Sequence, residues 1–511
     1  MERGDLLRFL DRLESRYEEA CFAMGLANWN NYSHEGPADL DSARRAFAAL
    51  FGDADTRRRV EEARAGLGSE ADPRLARRLE MWRRLFVGGS IEGDAEIAPL
   101  ENALEKRLTS FQFTLEGQKV SRAQILLNLQ QLPSSAERRR SWNANAQLHQ
   151  GMVTDFRRLV ALRNARAREL GLEPFYRLSL DLQGIEEAWL LATLSKLEEV
   201  TREPFRRFLE ASQSTLKLDS LRPWDLRRAV KLQASLPDDR FPKEAAFEVL
   251  ARFHRQIGFP VERLAIRQVV LDIPFGGLSL AIHIPSDSRF LVNPTRGHNF
   301  YSTAFHEYGH SLHAVYTRVD EPVFKGYEWI PGAQATAYAE GVAEVQAEFI
   351  RSPLWLRRYS STTDEEIAAY RRSAPGAAML RLRNLLASFY FEYQMYRDPD
   401  QDLDRLERET TERILLVDRG DEPPHWAADS WYTTYPCYYQ NYILAAMIAS
   451  QVHQALVARF GDSRVENAEV GSWLIENLYA MGESVDWAER IRRATGRPLD
   501  PEAYLAKLTV S

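Results

Sequence analysis

The stretch "FHEYGHSLH" at residues 305–313 carries two histidines four positions apart, with a glutamate directly after the first. The surrounding pattern predicts a helix, where residues four apart lie one turn above each other, so His306 and His310 can present two imidazole nitrogens to one ion. Glu307 is rotated by about 100° from His306, which keeps its carboxylate off the metal but near a water bound to it. We therefore expect two zinc ligands and a general base.

A third ligand is needed, because a catalytic zinc ion takes three protein ligands and leaves the fourth position to water. The stretch "AYAEGVAEVQAEFI" at 337–350 has glutamates at 340, 344 and 348. Such a row can also be a solvated acidic face, but the small residues around it predict a helix that packs closely. We expect Glu340 to be the ligand in preference to Glu344, and Glu344 to hydrogen-bond a ligand histidine.

Donors for the oxyanion of a peptide hydrolysis are expected near the end of the chain. Tyr435, Tyr438, Tyr439 and Tyr442 have the spacing of one face of a helix. Core packing is the alternative for any one of them, but four hydroxyl groups suit a polar cavity wall better than a dry core. His425, upstream of them, offers a further donor.

The hydrophobic pattern predicts a mainly helical protein with one small antiparallel sheet. Helical periodicity dominates residues 1 to about 260, whereas β-branched runs broken by turn signals mark residues 266–293. His283 lies in this region, where it either contacts substrate or is structural. We expect the strand at 278–284 to lie beside the metal and to bind an extended peptide along its edge.

The composition excludes several classes of function. The chain has 511 residues, 27% of them charged, and a net charge of -7, which gives no overall attraction to nucleic acid or anionic membranes. The N-terminus lacks the apolar core of a secretory signal, and the apolar stretch at 442–452 is shorter than the roughly 20 residues that span a bilayer. Two cysteines, Cys21 and Cys437, fit reduced thiols. We expect a cytoplasmic protein that binds neither nucleic acid nor membranes.

Several motifs resemble the zinc peptidases that group angiotensin-converting enzyme with thimet oligopeptidase and oligoendopeptidase F. The zinc-helix motif is similar to the oligoendopeptidase version. Three further stretches resemble the angiotensin-converting enzyme branch: "LANWNNY" at 26–32, "LVALRNARARELGL" at 159–172 and "YPCYYQNYIL" at 435–444. The resemblance implies a helical, two-lobed body around a deep substrate channel.

The same resemblance implies roles for individual residues. Zinc would be bound by His306, His310 and Glu340, with Glu307 as the base. Tyr438 together with His425 would stabilise the tetrahedral intermediate, and Tyr435 would lie near the C-terminal side of the substrate.

The sequence departs from the angiotensin-converting enzyme branch at three of its positions. Glu344 stands where an aspartate is usual, so the contact with the ligand histidine would be made by a longer side chain. Pro423 replaces the lysine that binds the terminal carboxylate of the substrate, which argues against release of dipeptides. Cys437 replaces the arginine tied to chloride activation, so we expect no dependence on chloride.

Together these observations predict a zinc peptidase that hydrolyses short peptides in the manner of an oligoendopeptidase. A dipeptidyl carboxypeptidase is the alternative within enzymes, and a catalytically silent peptide-binding scaffold is the alternative from another class. We expect one body, with an N-terminal helical lobe over about 1–260, a catalytic region over about 261–460 and C-terminal helices over 461–511. The sequence does not predict an oligomeric state.

Overall fold

The computed structural model describes residues 2–68, 72–233, 235–273 and 275–509. Most of these residues are helical, as predicted. The division into lobes stays a prediction, and Pro274, part of a predicted turn, lies outside the described residues. The helices that precede the main sheet are α1 (Arg3–Ser33), α2 (Leu40–Phe51), α3 (Ala54–Ala65), α4 (Pro73–Glu92), α5 (Ile97–Ser110), α6 (Arg122–Gln131), α7 (Ser135–Asn143), α8 (Asn145–Glu169), α9 (Phe175–Gln183), α10 (Glu187–Val200), α11 (Arg202–Leu216), α12 (Leu226–Gln233) and α13 (Ala246–Gln256).

The helices after the main sheet supply the rest of the body. They are α14 (Gly297–Tyr316), α15 (Thr336–Phe349), α16 (Pro353–Tyr359), α17 (Asp364–Arg397), α18 (Leu403–Leu415), α19 (Ser430–Thr434), α20 (Tyr439–Phe460), α21 (Glu469–Leu474), α22 (Trp487–Thr495) and α23 (Glu502–Thr509).

The main sheet is mixed, so the prediction of a purely antiparallel sheet was wrong. Its strands are β3 (Ile266–Val270), β4 (Gly277–His283) and β5 (Asp287–Val292), in the order β3-β5-β4. β4 and β5 form an antiparallel hairpin. β5 lies between β3 and β4 and runs parallel to β3. β4 is thereby left at an edge of the sheet.

A second, two-stranded sheet was not predicted. β1 (Phe113–Leu115) and β2 (Gln118–Val120) pair antiparallel across a turn in which Glu116 and Gly117 have φ values of 52° and 80°. Positive φ at both central residues is the signature of a type I′ hairpin. Strands of three residues are too short for an alternating pattern to stand out, which is why the sequence did not reveal them.

Small residues let the elements around the future site approach each other closely. A β-carbon on Gly309 of α14 would lie 2.7 Å from the Cα atom of Ala343 on α15. A β-carbon on Gly341 of α15 would lie 2.8 Å from a side-chain carbon of Ile448 on α20. α15 is therefore a central helix between α14 and α20, and nearly all its side chains are buried.

The segment Tyr439–Val465 begins with α20. Judged by length and composition only, it could cross a bilayer, because its mean hydropathy is 1.3. Its packing is that of a core helix, because α15, α17, α22 and α23 all contact α20. Core helices of globular domains have the same composition, so the hydropathy of α20 reflects its place at the centre of the fold.

Candidate metal centre

Three side chains from two helices meet in one group. One ligand atom each from His306, His310 and Glu340 lies within 4.8 Å of the other two. The Nε2 atoms of the two histidines are 3.2 Å apart, and Oε2 of Glu340 lies 3.3 Å from His306 Nε2 and 4.0 Å from His310 Nε2. The two histidines lie one turn apart on α14, and α15 supplies the carboxylate because Gly309 lets the two helices pack closely.

The glutamate in this group has one oxygen that the described protein atoms do not satisfy. Oε1 of Glu340 accepts a hydrogen bond of 2.6 Å from the Tyr438 hydroxyl, whereas the buried Oε2 has no hydrogen-bond partner. A buried, unpaired carboxylate oxygen is costly unless a cation compensates it. Two imidazole nitrogens and one carboxylate oxygen are the donors of a catalytic divalent-metal site, so these residues fit a metal ion.

The electrostatics of the group favour positive charge at its centre. Burial works against ionisation of Glu340, but neighbouring His306 and His310 and the hydrogen bond from Tyr438 lower its pKa to about 2. Burial also opposes a charge on His306, yet Glu340 and Glu344 raise its pKa to about 10. Burial and neighbouring His306 lower the pKa of His310 to about 4.

Glu344 lies against the side of His306 that faces away from the metal group. Its Oε2 lies 3.5 Å from Nδ1 of His306, while its Oε1 accepts a hydrogen bond from Arg351. Arg351 also bonds Glu348 at 3.0 Å, and Lys507 on α23 bonds the same Glu348 oxygen at 2.6 Å. This chain of charges holds the imidazole of His306 from behind.

Glu307 lies beside the metal group and against the edge strand. Burial raises the pKa of Glu307 to about 7, and the charge of Glu340 adds to the effect while His306 opposes it. The backbone of Ser279 on β4 also hydrogen-bonds Glu307. A β-carbon on Gly277 would lie 2.8 Å from Oε1 of Glu307, so only glycine lets this strand pass so close to the carboxylate.

The four tyrosines do not share one helical face, contrary to the prediction. Tyr435 ends α19, Cys437 has a φ of 57°, and α20 begins only at Tyr439. The prediction failed because the positions of the four tyrosines do not reveal that Cys437, which lies between Tyr435 and Tyr438, has a left-handed backbone conformation. The rings of Tyr435, Tyr438 and Tyr442 nonetheless form a row, with successive centroids 5.9 and 5.2 Å apart.

Tyr438 and Tyr435 occupy different parts of this row. Tyr438 contacts the metal group directly through Glu340. Tyr435 is 52% exposed, although burial of its hydroxyl raises its pKa to about 12. The row of tyrosines therefore leads away from the metal group into open space.

The other two predicted site residues have partners elsewhere in the described structure. His425 places Nδ1 3.0 Å from Oε1 of Glu407 and packs its ring against Trp142. His283 has Nδ1 2.6 Å from the Ser286 hydroxyl. Among the described residues, neither His425 nor His283 forms a hydrogen bond or an ion pair with the metal group. The catalytic role of His425 and the substrate contact of His283 stay predictions.

Sequence reasoning missed three charged residues near the site. Arg351 supports Glu344, and the half-exposed guanidinium of Arg381 lies 3.5 Å from Glu344 Oε1. Glu328 lines a cavity next to His310. Glu328 lies in an irregular loop, and Arg381 sits among other arginines of a long helix, so no local spacing pattern marks either residue.

Part of the chain that contains the site is similar to a known protein family. Residues 290–510 match the model of Peptidase family M3. This range contains the metal group, Glu307 and the tyrosines, but it leaves the first 289 residues unmatched. A search of curated proteins found no match.

Solved structures share the fold over nearly the whole chain. Metallocarboxypeptidase 1 of Trypanosoma cruzi is 17% identical, with 98% of each chain covered and a TM-score of 0.65. An M32 carboxypeptidase from Deinococcus radiodurans is 16% identical, with the same coverage and a TM-score of 0.62. A putative oligoendopeptidase F is 17% identical, with 92% of this chain and 82% of that chain covered and a TM-score of 0.66.

The family match and the metal-binding donors together identify a hydrolase of peptide bonds. The expectation of a metallopeptidase is thus confirmed at the level of class. The identity of the metal and the mode of cleavage are separate questions.

Proposed function

We propose that this protein is a zinc-dependent peptidase that cuts short peptides in the manner of an oligoendopeptidase. The observation that carries this proposal is the convergence of two imidazole nitrogens from one helix on Oε2 of Glu340, a buried oxygen that has no hydrogen-bond partner among the described residues. A mixed nitrogen and oxygen donor set with three protein ligands is typical of catalytic zinc. Bound there, zinc would lower the pKa of a water molecule to near 7 and polarise the peptide carbonyl.

Glu307 is the proton carrier of the proposed reaction. Its carboxylate takes a proton from the attacking water and passes it to the nitrogen of the leaving amine. Burial suits this role, since it raises the pKa of Glu307 to about 7, so that the group both accepts and releases a proton near neutral pH. The neighbouring backbone of Ser279 fixes the carboxylate.

β4 is the proposed binding edge for the backbone of the substrate. The strand lies at the edge of its sheet and against Glu307, so an extended peptide paired with it would present a carbonyl near the metal group. Gly277 makes the approach possible because a side chain there would collide with Glu307.

Tyr438 is the proposed donor to the oxyanion. In the structure its hydroxyl donates to Oε1 of Glu340. The role therefore requires that the hydroxyl exchanges this acceptor for the oxyanion as the tetrahedral intermediate forms. A donor that is used mainly in the transition state raises kcat without tightening the binding of substrate.

A carboxypeptidase is the second candidate, and Arg381 favours it. The side chain of Arg381 is 51% exposed, and it lies beside Glu344, behind ligand His306. Burial and the charge of Glu340 raise the pKa of Tyr442 well above the ordinary value, and the charge of Arg381 opposes them. A half-exposed guanidinium of this kind is suited to bind a terminal carboxylate. Two of the similar structures are described as carboxypeptidases.

Product analysis distinguishes these modes. The zinc-loaded protein would be given unmodified peptides and the same peptides with amidated C-termini, and the products identified by mass spectrometry. We expect internal cuts that are indifferent to amidation. Loss of single residues or dipeptides from free C-termini only would instead establish a carboxypeptidase. Zinc binding without cleavage of any peptide would establish the silent scaffold.

A further inference from the structure

Tyr438 lies in a short turn between two helices. α19 ends at Thr434 and α20 begins at Tyr439, so the residues at 435–438 belong to neither helix. Within this turn Cys437 has a φ of 57°, in the left-handed region. Residues other than glycine, asparagine and aspartate rarely adopt this conformation, because the β-carbon crowds the following carbonyl oxygen. Such a turn persists only where the surrounding structure holds it in place.

Buried side chains hold both backbone polar groups of Cys437. Its N–H donates to Oε1 of Glu392 on α17 at 2.8 Å. Its carbonyl oxygen accepts hydrogen bonds from Nε2 of Gln183 on α9, at 3.3 Å, and from Nε2 of Gln440 on α20. Side chains from three helices therefore fix the two peptide groups that flank Cys437, including the one that joins it to Tyr438.

Glu392 has one hydrogen bond among the described residues, and this bond goes to the turn. Its side chain is fully buried, and its second oxygen, Oε2, has no hydrogen-bond partner among those residues. Burial of a carboxyl group costs free energy that an apolar side chain of similar size would avoid. The bond to the N–H of Cys437 accounts for a polar side chain at this position, because a buried N–H needs an acceptor.

The turn determines where the hydroxyl group of Tyr438 lies. That hydroxyl is 2.6 Å from Oε1 of Glu340. It stands at the far end of a rigid ring, so a small backbone rotation at Cys437 displaces it by a larger distance. A misplacement of about 1 Å in a catalytic group can lower a rate by about 10²-fold.

We propose that Glu392 is a positioning residue for Tyr438. It holds the N–H of Cys437 and thereby fixes the hydroxyl group that acts on the oxyanion. This inference rests on the proposed peptidase function, in which Tyr438 is the oxyanion donor. It adds a side chain of α17, a helix that supplies none of the proposed metal ligands, to the groups on which the reaction depends.

The first test compares two substitutions of Glu392 in the zinc-loaded protein. Glu392→Met keeps the length of the side chain but removes the acceptor, whereas the amide oxygen of Glu392→Gln accepts the same hydrogen bond. We expect Glu392→Met to lower kcat by about 10- to 100-fold with KM close to that of the wild type. Glu392→Gln should retain a kcat within about threefold of the wild type, since the bond to the turn persists.

A double-mutant cycle tests whether Glu392 acts through the hydroxyl of Tyr438. The cycle combines Glu392→Met with Tyr438→Phe and measures kcat for the wild type, both single variants and the double variant. Once the hydroxyl is absent, its position no longer matters, so the double variant should be no slower than Tyr438→Phe alone. Losses that multiply would overturn the proposal, because a general defect of the fold lowers kcat whether or not the hydroxyl is present.

Gln451→Met is the matched control for loss of a buried acceptor. Gln451 is also buried on α20, and its side chain accepts a hydrogen bond from the backbone N–H of Asp500 at 3.2 Å. This variant should lower the temperature of unfolding and leave kcat unchanged. Zinc content and thermal unfolding are measured for every variant. If Glu392→Met does not fold, Glu392→Asp takes its place in both tests, because it withdraws the carboxyl group from Cys437 by one methylene.

The outcomes separate this inference from the proposed function. A normal kcat in Glu392→Met, or an equal loss of kcat in Glu392→Met and Glu392→Gln, would overturn the positioning role and leave the peptidase intact. A normal kcat in Tyr438→Phe would overturn it as well, since no hydroxyl would then need positioning. Failure of the wild type to cut any peptide would overturn the proposed function, and this inference with it.

Discussion

Single residues around the metal group divide the work of catalysis between them. Oε1 of Glu340 accepts a hydrogen bond from Tyr438, and its Oε2 is the proposed metal ligand. Glu307 directly follows His306 in α14, and its carboxylate lies against the edge strand β4. A change at one of these side chains should therefore alter one step and leave the rest in place.

Glu307→Gln should retain the metal and lose activity by about 10²- to 10⁴-fold, because the amide keeps the shape of the side chain but cannot accept the proton. Metal content by atomic absorption and turnover of a quenched peptide check both parts. Near-normal turnover with full metal occupancy would remove Glu307 from the mechanism.

Tyr438→Phe should lower kcat by roughly 3 kcal/mol of barrier and leave KM nearly unchanged, since the hydroxyl acts on the developing oxyanion. Steady-state kinetics over a range of substrate concentrations separate the two constants. A rise in KM at constant kcat would mean that Tyr438 binds only the ground state.

At the scale of elements, the register of α15 against α14 decides which glutamate reaches the metal. Glu340 faces the two Nε2 atoms, whereas Glu344, one turn later, reaches the Nδ1 atom of His306. Two carboxylates on one face of a helix thus meet opposite sides of the same imidazole.

Glu340→Ala should abolish tight metal binding, whereas Glu344→Ala should weaken it by about 10- to 100-fold, as loss of a hydrogen bond to a ligand does. Titration with a competing chelator gives both affinities. The reverse order of the two effects would exchange the roles of the two glutamates.

Gly309→Ala should destabilise the fold by about 1–3 kcal/mol, because the new methyl group meets the backbone of α15 and one helix must shift. Gly151→Ala on α8 is the control: among the described residues, no atom outside its chain neighbours and its own helix backbone lies within 4 Å of the position of a β-carbon, and alanine there should stabilise by up to ~1 kcal/mol. Urea unfolding measures both, and equal effects would show that the α14–α15 contact is not tight.

The sequence predicted the elements that repeat with a regular period and missed those that depend on distant contacts. The spacing of His306 and His310 specifies their shared face without any knowledge of the fold. The parallel pairing of β3 with β5 depends on which strand of the β4–β5 hairpin lies next to β3, and no local sequence pattern indicates this. Glu328 and Arg381 reach the cleft from separate segments, so their proximity to the site arises only when the chain is folded.

At the scale of the whole molecule, the cleft combines parts from both halves of the chain. α1 packs against β4, and a β-carbon on Gly25 would lie 3.1 Å from the Cα atom of Ile282. α5 brings Glu101 and Glu105 towards Tyr435. The surroundings of the site therefore include a region that lies outside the part matched by the family model.

The ion pairs from Lys507 through Glu348 and Arg351 to Glu344 have a consequence for the order of biosynthesis. Lys507 leaves the ribosome roughly 170 residues after the last proposed metal ligand, which at typical elongation rates is a delay of about ten seconds or more. During that interval α14 and α15 are already made, but the support behind His306 is incomplete. We expect a nascent chain to hold a metal ion at the proposed site more loosely until α23 has docked, so the site reaches its full affinity only when this late segment is in place.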